Sequence, residues 1–236
     1  MGDNTAIGGL ARSVMFDDHY ADKSNSSNKV PVVTVSRDVG ASGGYIAELL
    51  AKRLSVPCYG YSMIDRIIKD TKSEKDLINI HDEKQQCNIE NFIRCVLTNS
   101  SATKTEYYSR LIQTVRDIAS TGGVILGRGA HLILACHPNV FRVRIEGSLD
   151  HCVKRVAVRE NITIEKSKEI IALRTKERAL FLKTLYKRFP NNLRYSDLVV
   201  STDKATEVDV VDIIVHAMEI MGHYVPVAIK QKSVLV

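Results

Sequence analysis

The apolar positions of this chain switch repeatedly between two periods. From Val30 to Ser36 they are nearly continuous and β-branched, the pattern of a strand buried on both faces. Ile46, Leu49, Leu50 and Leu54 then recur at three- and four-residue spacing, which predicts a helix over Gly43–Leu54 packed on a sheet. Val56-Pro57-Cys58-Tyr59 reads as a short second strand, and Ser62 as the cap of a helix through Ile68. Residues 70–90 are polar and charged, without strand signals. Ile89–Leu97 and Glu106–Ala119 are amphipathic, and Thr121-Gly122-Gly123 stops the second of these helices.

The alternation continues. Val124-Ile125-Leu126-Gly127 is a buried strand that runs into Arg128-Gly129-Ala130 and a short helix over 130–135. Phe141–Ile145 is another strand. Ser148 or Asp150 opens a helix to Arg159, and Thr163 with Lys166 begins a longer one to Lys187, broken by Phe189-Pro190-Asn191-Asn192. Leu198–Ser201 is a last strand and Glu207–Met221 a last amphipathic helix. Strands separated by helices imply a parallel sheet with right-handed crossovers. Ligands of such sheets sit at the carboxyl ends of the strands, so Arg37–Gly44 and Arg128 should share one rim. Residues 1–29 are rich in Gly, Asn, Asp and Ser and read as a mobile arm; 223–236 form a tail of unassigned role. No internal repeat is visible.

Composition narrows the classes. The 236 residues are 44% hydrophobic and 25% charged, ordinary for a globular protein with a substantial core. No apolar run approaches a membrane span, and no secretory signal is visible at the N-terminus, so a cytoplasmic protein is expected. The five cysteines are odd in number and never form C-x-x-C, as expected of reduced thiols. His131, Cys136, His137, His151 and Cys152 show no recurring ligand spacing, so core or surface roles are expected rather than metal binding. The net charge of +6 is concentrated: residues 151–195 hold twelve Lys or Arg against four Glu, and the rest of the chain sums to −2. One basic element with a specific anionic task is one reading, and a solvated helical face is the other. Nucleic acid is not the expected partner, because there is no Trp and no basic strand interleaved with aromatics.

The candidate chemistry begins after the first strand. A buried strand, a glycine turn and a helix starting at Gly43 or Gly44 can hold a phosphate on bare N–H groups, aided by the helix dipole. A P-loop reads G-x-x-x-x-G-K-[ST], yet this chain has no Gly-Lys dipeptide. On pattern alone, a phosphate loop and an ordinary strand–turn–helix both stand. Arg128 lies between two glycines directly after a buried strand, where its guanidinium can be fixed for a bidentate phosphate contact. Arg155 with Arg159, and Arg174 with Arg178, are spaced i,i+4 and share helix faces. They could form a cationic jaw or merely surface ion pairs.

These segments carry a resemblance. Thr34-Val-Ser-Arg-Asp-Val-Gly-Ala-Ser-Gly-Gly-Tyr-Ile-Ala47, Val124-Ile-Leu-Gly-Arg-Gly-Ala-His-Leu-Ile-Leu134, Lys154-Arg-Val-Ala-Val-Arg-Glu-Asn161, Lys176-Glu-Arg-Ala179 and Tyr195-Ser-Asp-Leu-Val-Val-Ser-Thr-Asp203 occur in a familiar order. From Val30 to Met221 the chain resembles the cytidylate kinase-like family, a branch of the P-loop nucleoside monophosphate kinases. The resemblance implies a P-loop NTPase-type α/β fold, a three-layer α/β/α domain over residues 30–222 with a parallel sheet. It also implies a helical monophosphate-binding insert at about 60–120 and a helical lid at about 150–192. The implied activity is ATP- and Mg²⁺-dependent phosphoryl transfer to CMP, dCMP or a related phosphorylated acceptor.

It also implies roles. Ser36, Arg37, Gly40, Ala41, Ser42, Gly43, Gly44 and Tyr45 would form the loop around the ATP phosphates, with Ser42 or Ser36 offering a hydroxyl near Mg²⁺. Arg128 would grip the acceptor's monophosphate, with Arg66 as a second phosphate arginine. Arg155 and Arg159 would close over the transferring phosphoryl, with Arg174 and Arg178 next in line.

The chain also departs from the pattern. Gly43 stands where true cytidylate kinases have the P-loop lysine, and Gly60 follows Tyr59 where the kinase-like branch commonly has Asp. The Arg-Asp-x-x-Asp-x-x-Arg run that reads cytidine is replaced by Glu177-Arg178-Ala-Leu-Phe-Leu182, without its acidic members. Arg37 is one candidate for the missing lysine charge, swung over the β/γ-phosphates. The alternative is that it pairs with Asp38 or a neighbouring carboxylate and only shapes the loop. A catalytically degenerate nucleotide-binding module is the competing function.

Overall fold

The computed structural model describes residues 30–70, 101–135, 137–186 and 196–226. The expected arm at 1–29, the helix at Ile89–Leu97, the break at Phe189–Asn192 and most of the tail lie outside these residues, as does the polar stretch from residue 71 on.

Strand β1 (Val32–Arg37) is followed by α1 (Gly43–Leu54), β2 (Cys58–Tyr59), α2 (Tyr61–Asp70), α3 (Ser101–Thr121) and β3 (Gly123–Leu126). Then come α4 (Ala130–Ile133), β4 (Val140–Glu146), α5 (Leu149–Glu160), α6 (Ile164–Tyr186), β5 (Leu198–Ser201) and α7 (Glu207–Ile220). The strands form one sheet in the order β2-β3-β1-β4-β5, and every pairing is parallel.

β1 is the central strand, which is why its residues read as a continuous apolar run. Val33 and Val35 face a core built with Ile46, Ala47, Leu50 and Leu54 of α1 and Val210, Val211, Ile214 and Met218 of α7. Val32 faces the opposite core, built with Ile64 and Ile68 of α2, Leu111, Val115 and Ile118 of α3, and Leu132 and Ile133 of α4. The alternation is the two-residue period of a strand, and the outcome is a three-layer α/β/α sandwich. α6 joins both halves, since Ile171 belongs to the first core and Leu182 to the second.

Several element ends differ from expectation, each for a local reason. β1 begins at Val32 rather than Val30, after Pro31, which has no N–H to give to a ladder. β2 is shortened to Cys58–Tyr59 for the same reason at Pro57, whose carbonyl still accepts from the Val124 N–H at 2.9 Å. α2 starts at Tyr61, so Ser62 lies inside it instead of capping it. α1 matches Gly43–Leu54 and is closed by Ser55 in the left-handed region, whose N–H returns to the Ala51 and Lys52 carbonyls. α7 opens on a reciprocal capping box between Thr206 and Asp209.

Candidate functional site

The carboxyl ends of the strands converge on a rim made by the turns after β1 and β3, with α6 passing over it. After Arg37 the chain is tied to β4 by the Asp38 N–H, which donates to the Ile145 carbonyl at 2.9 Å. Gly40 follows at φ +88°, and a Cβ there would lie 2.7 Å from the Cys152 carbonyl oxygen. Glycine therefore lets the turn press directly on α5. Ser42 is left-handed at φ 55°, and α1 starts at the next residue. The N–H groups of Gly43, Gly44 and Tyr45 have no backbone partner among the described residues, as expected of a first helical turn. The Ser42 hydroxyl faces the Glu207 carboxylate and helps hold its pKa below the ordinary value. Ala41 is fully buried beneath this turn, and Tyr45 points outward with 58% of its surface exposed.

The turn after β3 is built differently. Gly127, Arg128 and Gly129 are all left-handed, at φ 78°, 50° and 69°. For arginine this conformation costs about 1 kcal/mol, and the flanking glycines confine the expense to one residue. The turn delivers Arg128 into a closed environment. Its Nη2 pairs with Asp65 Oδ2, and the Tyr107 hydroxyl donates to Asp65 Oδ1 at 3.1 Å. The guanidinium carbon lies 3.7 Å from the Tyr61 ring centroid and 5.4 Å from that of Phe181. Nε is buried without a partner among the described residues. Burial opposes the charge, but Tyr107, Asp65 and Tyr61 outweigh it and hold the Arg128 pKa above its ordinary value. Burial likewise pushes the Tyr107 hydroxyl up, so it stays a neutral donor.

Arg37 stands next to this cluster under opposite conditions. A Cβ at Gly43 would come within 2.5 Å of the Arg37 Cβ, and a Cβ at Gly127 would fall on its Nη1 and within 3.2 Å of its Cζ. The side chain thus runs from beneath the start of α1 to the exit of β3. Burial, then Arg178, Arg128 and Arg144, push its pKa down to about 9. No carboxylate acts on it among the described residues. Asp38 is engaged elsewhere: with Glu146 it pairs to Arg144, a buried strand residue. Arg178 donates from α6 to the Arg37 carbonyl at 3.0 Å. Burial lowers the Arg178 pKa as well; Asp38 opposes that shift while Arg144 and Arg174 reinforce it.

The other expected site residues separate into four positions. Ser36 is buried in β1 and its hydroxyl donates to the Val143 carbonyl at 3.2 Å, so it is committed within the sheet. Arg155 binds Thr202 after β5, through Oγ1 at 2.8 Å and through the carbonyl. Arg159 and Arg174 both bind Glu160, each at 2.8 Å, and Arg66 is exposed on α2. The structure therefore gathers Arg37, Arg128 and Arg178 and leaves Arg66 and Arg159 facing outward. Asp65, Tyr61, Tyr107, Phe181 and Arg144 enter the rim without having been singled out from the sequence. Arg144 carried a usable signal, since a charge inside an otherwise apolar strand must find partners.

A model of the cytidylate kinase-like family matches residues 32–204. The chain belongs to this family. The five-stranded parallel sheet with helices on both faces is a three-layer α/β/α fold. A protein of unknown role from Eubacterium ventriosum aligns with a TM-score of 0.62 and 20% identity, over 80% of this chain and 98% of that one. Shikimate kinase from Acinetobacter baumannii, in complex with shikimate, aligns at 0.45 and 11% identity, over 82% and 95% of the two chains. A gluconokinase from Sinorhizobium meliloti aligns at 0.45 and 13%, with the same coverage. No curated protein matches the chain. Among the described residues no helix is long and apolar enough to cross a membrane, and no group of three His, Cys, Asp or Glu is placed to hold a metal ion.

Proposed function

We propose that this kinase-like protein transfers the γ-phosphoryl group of ATP to a small phosphorylated acceptor, with CMP and dCMP the first candidates. One observation carries the reading. The Arg37 stem lies against Gly43 at the start of α1, the charges of Arg178, Arg128 and Arg144 act on it, and no carboxylate does so among the described residues. Phosphoryl transfer asks a protein mainly for positioning and for positive charge around the moving group. The residues fit a polyphosphate: among the described residues the N–H groups of Gly43–Tyr45 are free of backbone partners, and the Arg37 stem lies against Gly43. Ser42, backed by Glu207, is the hydroxyl available near Mg²⁺, which would neutralise charge on the β- and γ-phosphates. Ser36 is withdrawn from that role by its bond to Val143. The acceptor's phosphate is already an anion, so no strong general base is needed.

A second reading rests on different contacts. Arg155 is held by Thr202, Arg159 and Arg174 by Glu160, and Gly43 occupies the lysine position, which favours a nucleotide-binding module without turnover. Purified protein incubated with Mg²⁺-ATP and a panel of nucleoside monophosphates separates the two. Diphosphate formed by wild type and strongly reduced in Arg128→Lys supports the kinase; that variant keeps a cation for Asp65 and loses the planar fork. No product, with ATP still raising the melting temperature, favours the module.

A further inference from the structure

The missing lysine and the half-buried Arg37 are two ends of one rearrangement. Arg37 is the last residue of β1, and its stem occupies the space beside Gly43: a Cβ on residue 43 would meet the Arg37 Cβ at 2.5 Å and Cγ at 2.7 Å. Position 43 therefore cannot carry a lysine while position 37 carries an arginine. The stem continues to Gly127, where a second absent Cβ makes room for the guanidinium. Two glycines on different elements thus define the track of one side chain. Such a track spends two backbone positions on a charge that, among the described residues, satisfies no carboxylate.

Resting on the phosphotransferase reading, we propose that Arg37 is the cation that contacts the terminal phosphate of the nucleotide, its charge relocated from α1 to the end of β1, with Gly43 and Gly127 as the glycines that the relocation requires. Arg37 lies at the seam between the turn after β1 and the turn that carries Arg128, where donor and acceptor phosphates would meet. Its surroundings favour an incoming anion. Burial and three neighbouring arginines make an uncompensated guanidinium expensive, and a phosphate removes that expense. Arg178, which holds the Arg37 carbonyl from α6, adds a second guanidinium to the same seam.

The inference makes charge and position separable. Calorimetry on the full chain, with inorganic tripolyphosphate and with ATP, measures the phosphate contact without requiring turnover. Arg37→Met keeps the apolar stem beside Gly43 and removes the charge; Arg37→Ala also clears the space at residue 43. Both should bind tripolyphosphate about 10- to 100-fold more weakly than wild type, the loss of one charge-assisted contact. Arg37→Ala/Gly43→Lys should recover most of that affinity, whereas Gly43→Lys alone should lose it by displacing the arginine. Should Arg37→Ala unfold, Arg37→Met carries the test. Arg37→Met binding within about twofold of wild type overturns the proposal and leaves the phosphotransferase reading intact. A double variant no tighter than Arg37→Ala overturns the relocation. Wild type that binds neither tripolyphosphate nor ATP overturns both readings.

Discussion

Arg37 and Arg128 leave neighbouring strands of the same sheet, at the same rim, and share a charge and a degree of burial, yet they are solved in opposite ways. Arg128 is closed within its own set: Asp65 neutralises it, Tyr107 braces Asp65, and Tyr61 and Phe181 cover the faces of its guanidinium. Among the described residues, the charges acting on Arg37 are all arginines. A buried cation with a partner is a means of fixing elements, here α2, α3 and α6 around one turn. A buried cation without one is a standing cost that only a ligand removes. Catalytic potential therefore resides less in the number of arginines at the rim than in which of them lacks a carboxylate.

The largest test of this contrast breaks the closed set. Asp65→Ala would leave the Arg128 guanidinium enclosed without its carboxylate, and such orphaned partners cost about 3–5 kcal/mol. Urea unfolding should show that loss, with a matching loss for Arg128→Met. The double variant Asp65→Leu/Arg128→Met should be more stable than either single variant, because no charge is then left buried alone. A loss below about 1 kcal/mol in Asp65→Ala would mean the pair is wetter than its burial indicates, and the contrast with Arg37 would weaken.

A third buried base sharpens the comparison, because it can drop its proton where arginine cannot. His131, on α4, is 6% exposed, and burial, then Arg144 and Arg142, lower its pKa from 6.5 to about 4. The folded state thus resists a proton that the unfolded chain accepts. Stability from this histidine is fully present above pH 6.5 and is lost as pH falls towards 4, by at most about 3 kcal/mol. Unfolding free energies measured from pH 7 to 4.5 should fall accordingly, and His131→Gln should flatten the part of the slope between pH 6.5 and 4.5. An unchanged slope in that variant would assign the acid sensitivity to carboxylates instead.

Much of this was readable from residue order, and the division has a physical basis. α1 and β5 were expected at their observed bounds, because local spacing and glycine placement decide them. The shared rim of Arg37 and Arg128 followed from parallel topology. The pairing of charges did not. Asp65 and Arg66 are adjacent in sequence, and successive helical residues point about 100° apart, so one turns inward to Arg128 while the other faces outward. Nothing local reveals that an aspartate will meet an arginine 63 positions later. Arg155 and Arg159 illustrate the same limit: the i,i+4 spacing placed them on one face, but only Arg155 is near enough to Thr202 to bind it. The absent lysine was plain in the sequence, whereas its steric cause, the Arg37 stem beside Gly43, required the fold.

The smallest expected effect is the most discriminating, because its sign is unusual. Removing a buried, well-packed arginine ordinarily destabilises a protein. Arg37 is charged against its surroundings: its pKa is pushed from its ordinary value down to about 9, so the folded state disfavours the charged form that predominates at neutral pH. Linkage gives the direction, since a base depressed on folding favours the fold only above its unfolded pKa and opposes it below the folded one. Arg37→Met deletes that opposition and retains the stem along Gly43. Without ligand, its melting temperature should rise by about 2–4 °C, equivalent to about 1 kcal/mol in a domain of this size. With saturating tripolyphosphate the order should reverse, because wild type gains the contact and the variant does not. A variant less stable than wild type under both conditions would assign Arg37 a structural role, with its charge already compensated in the free protein.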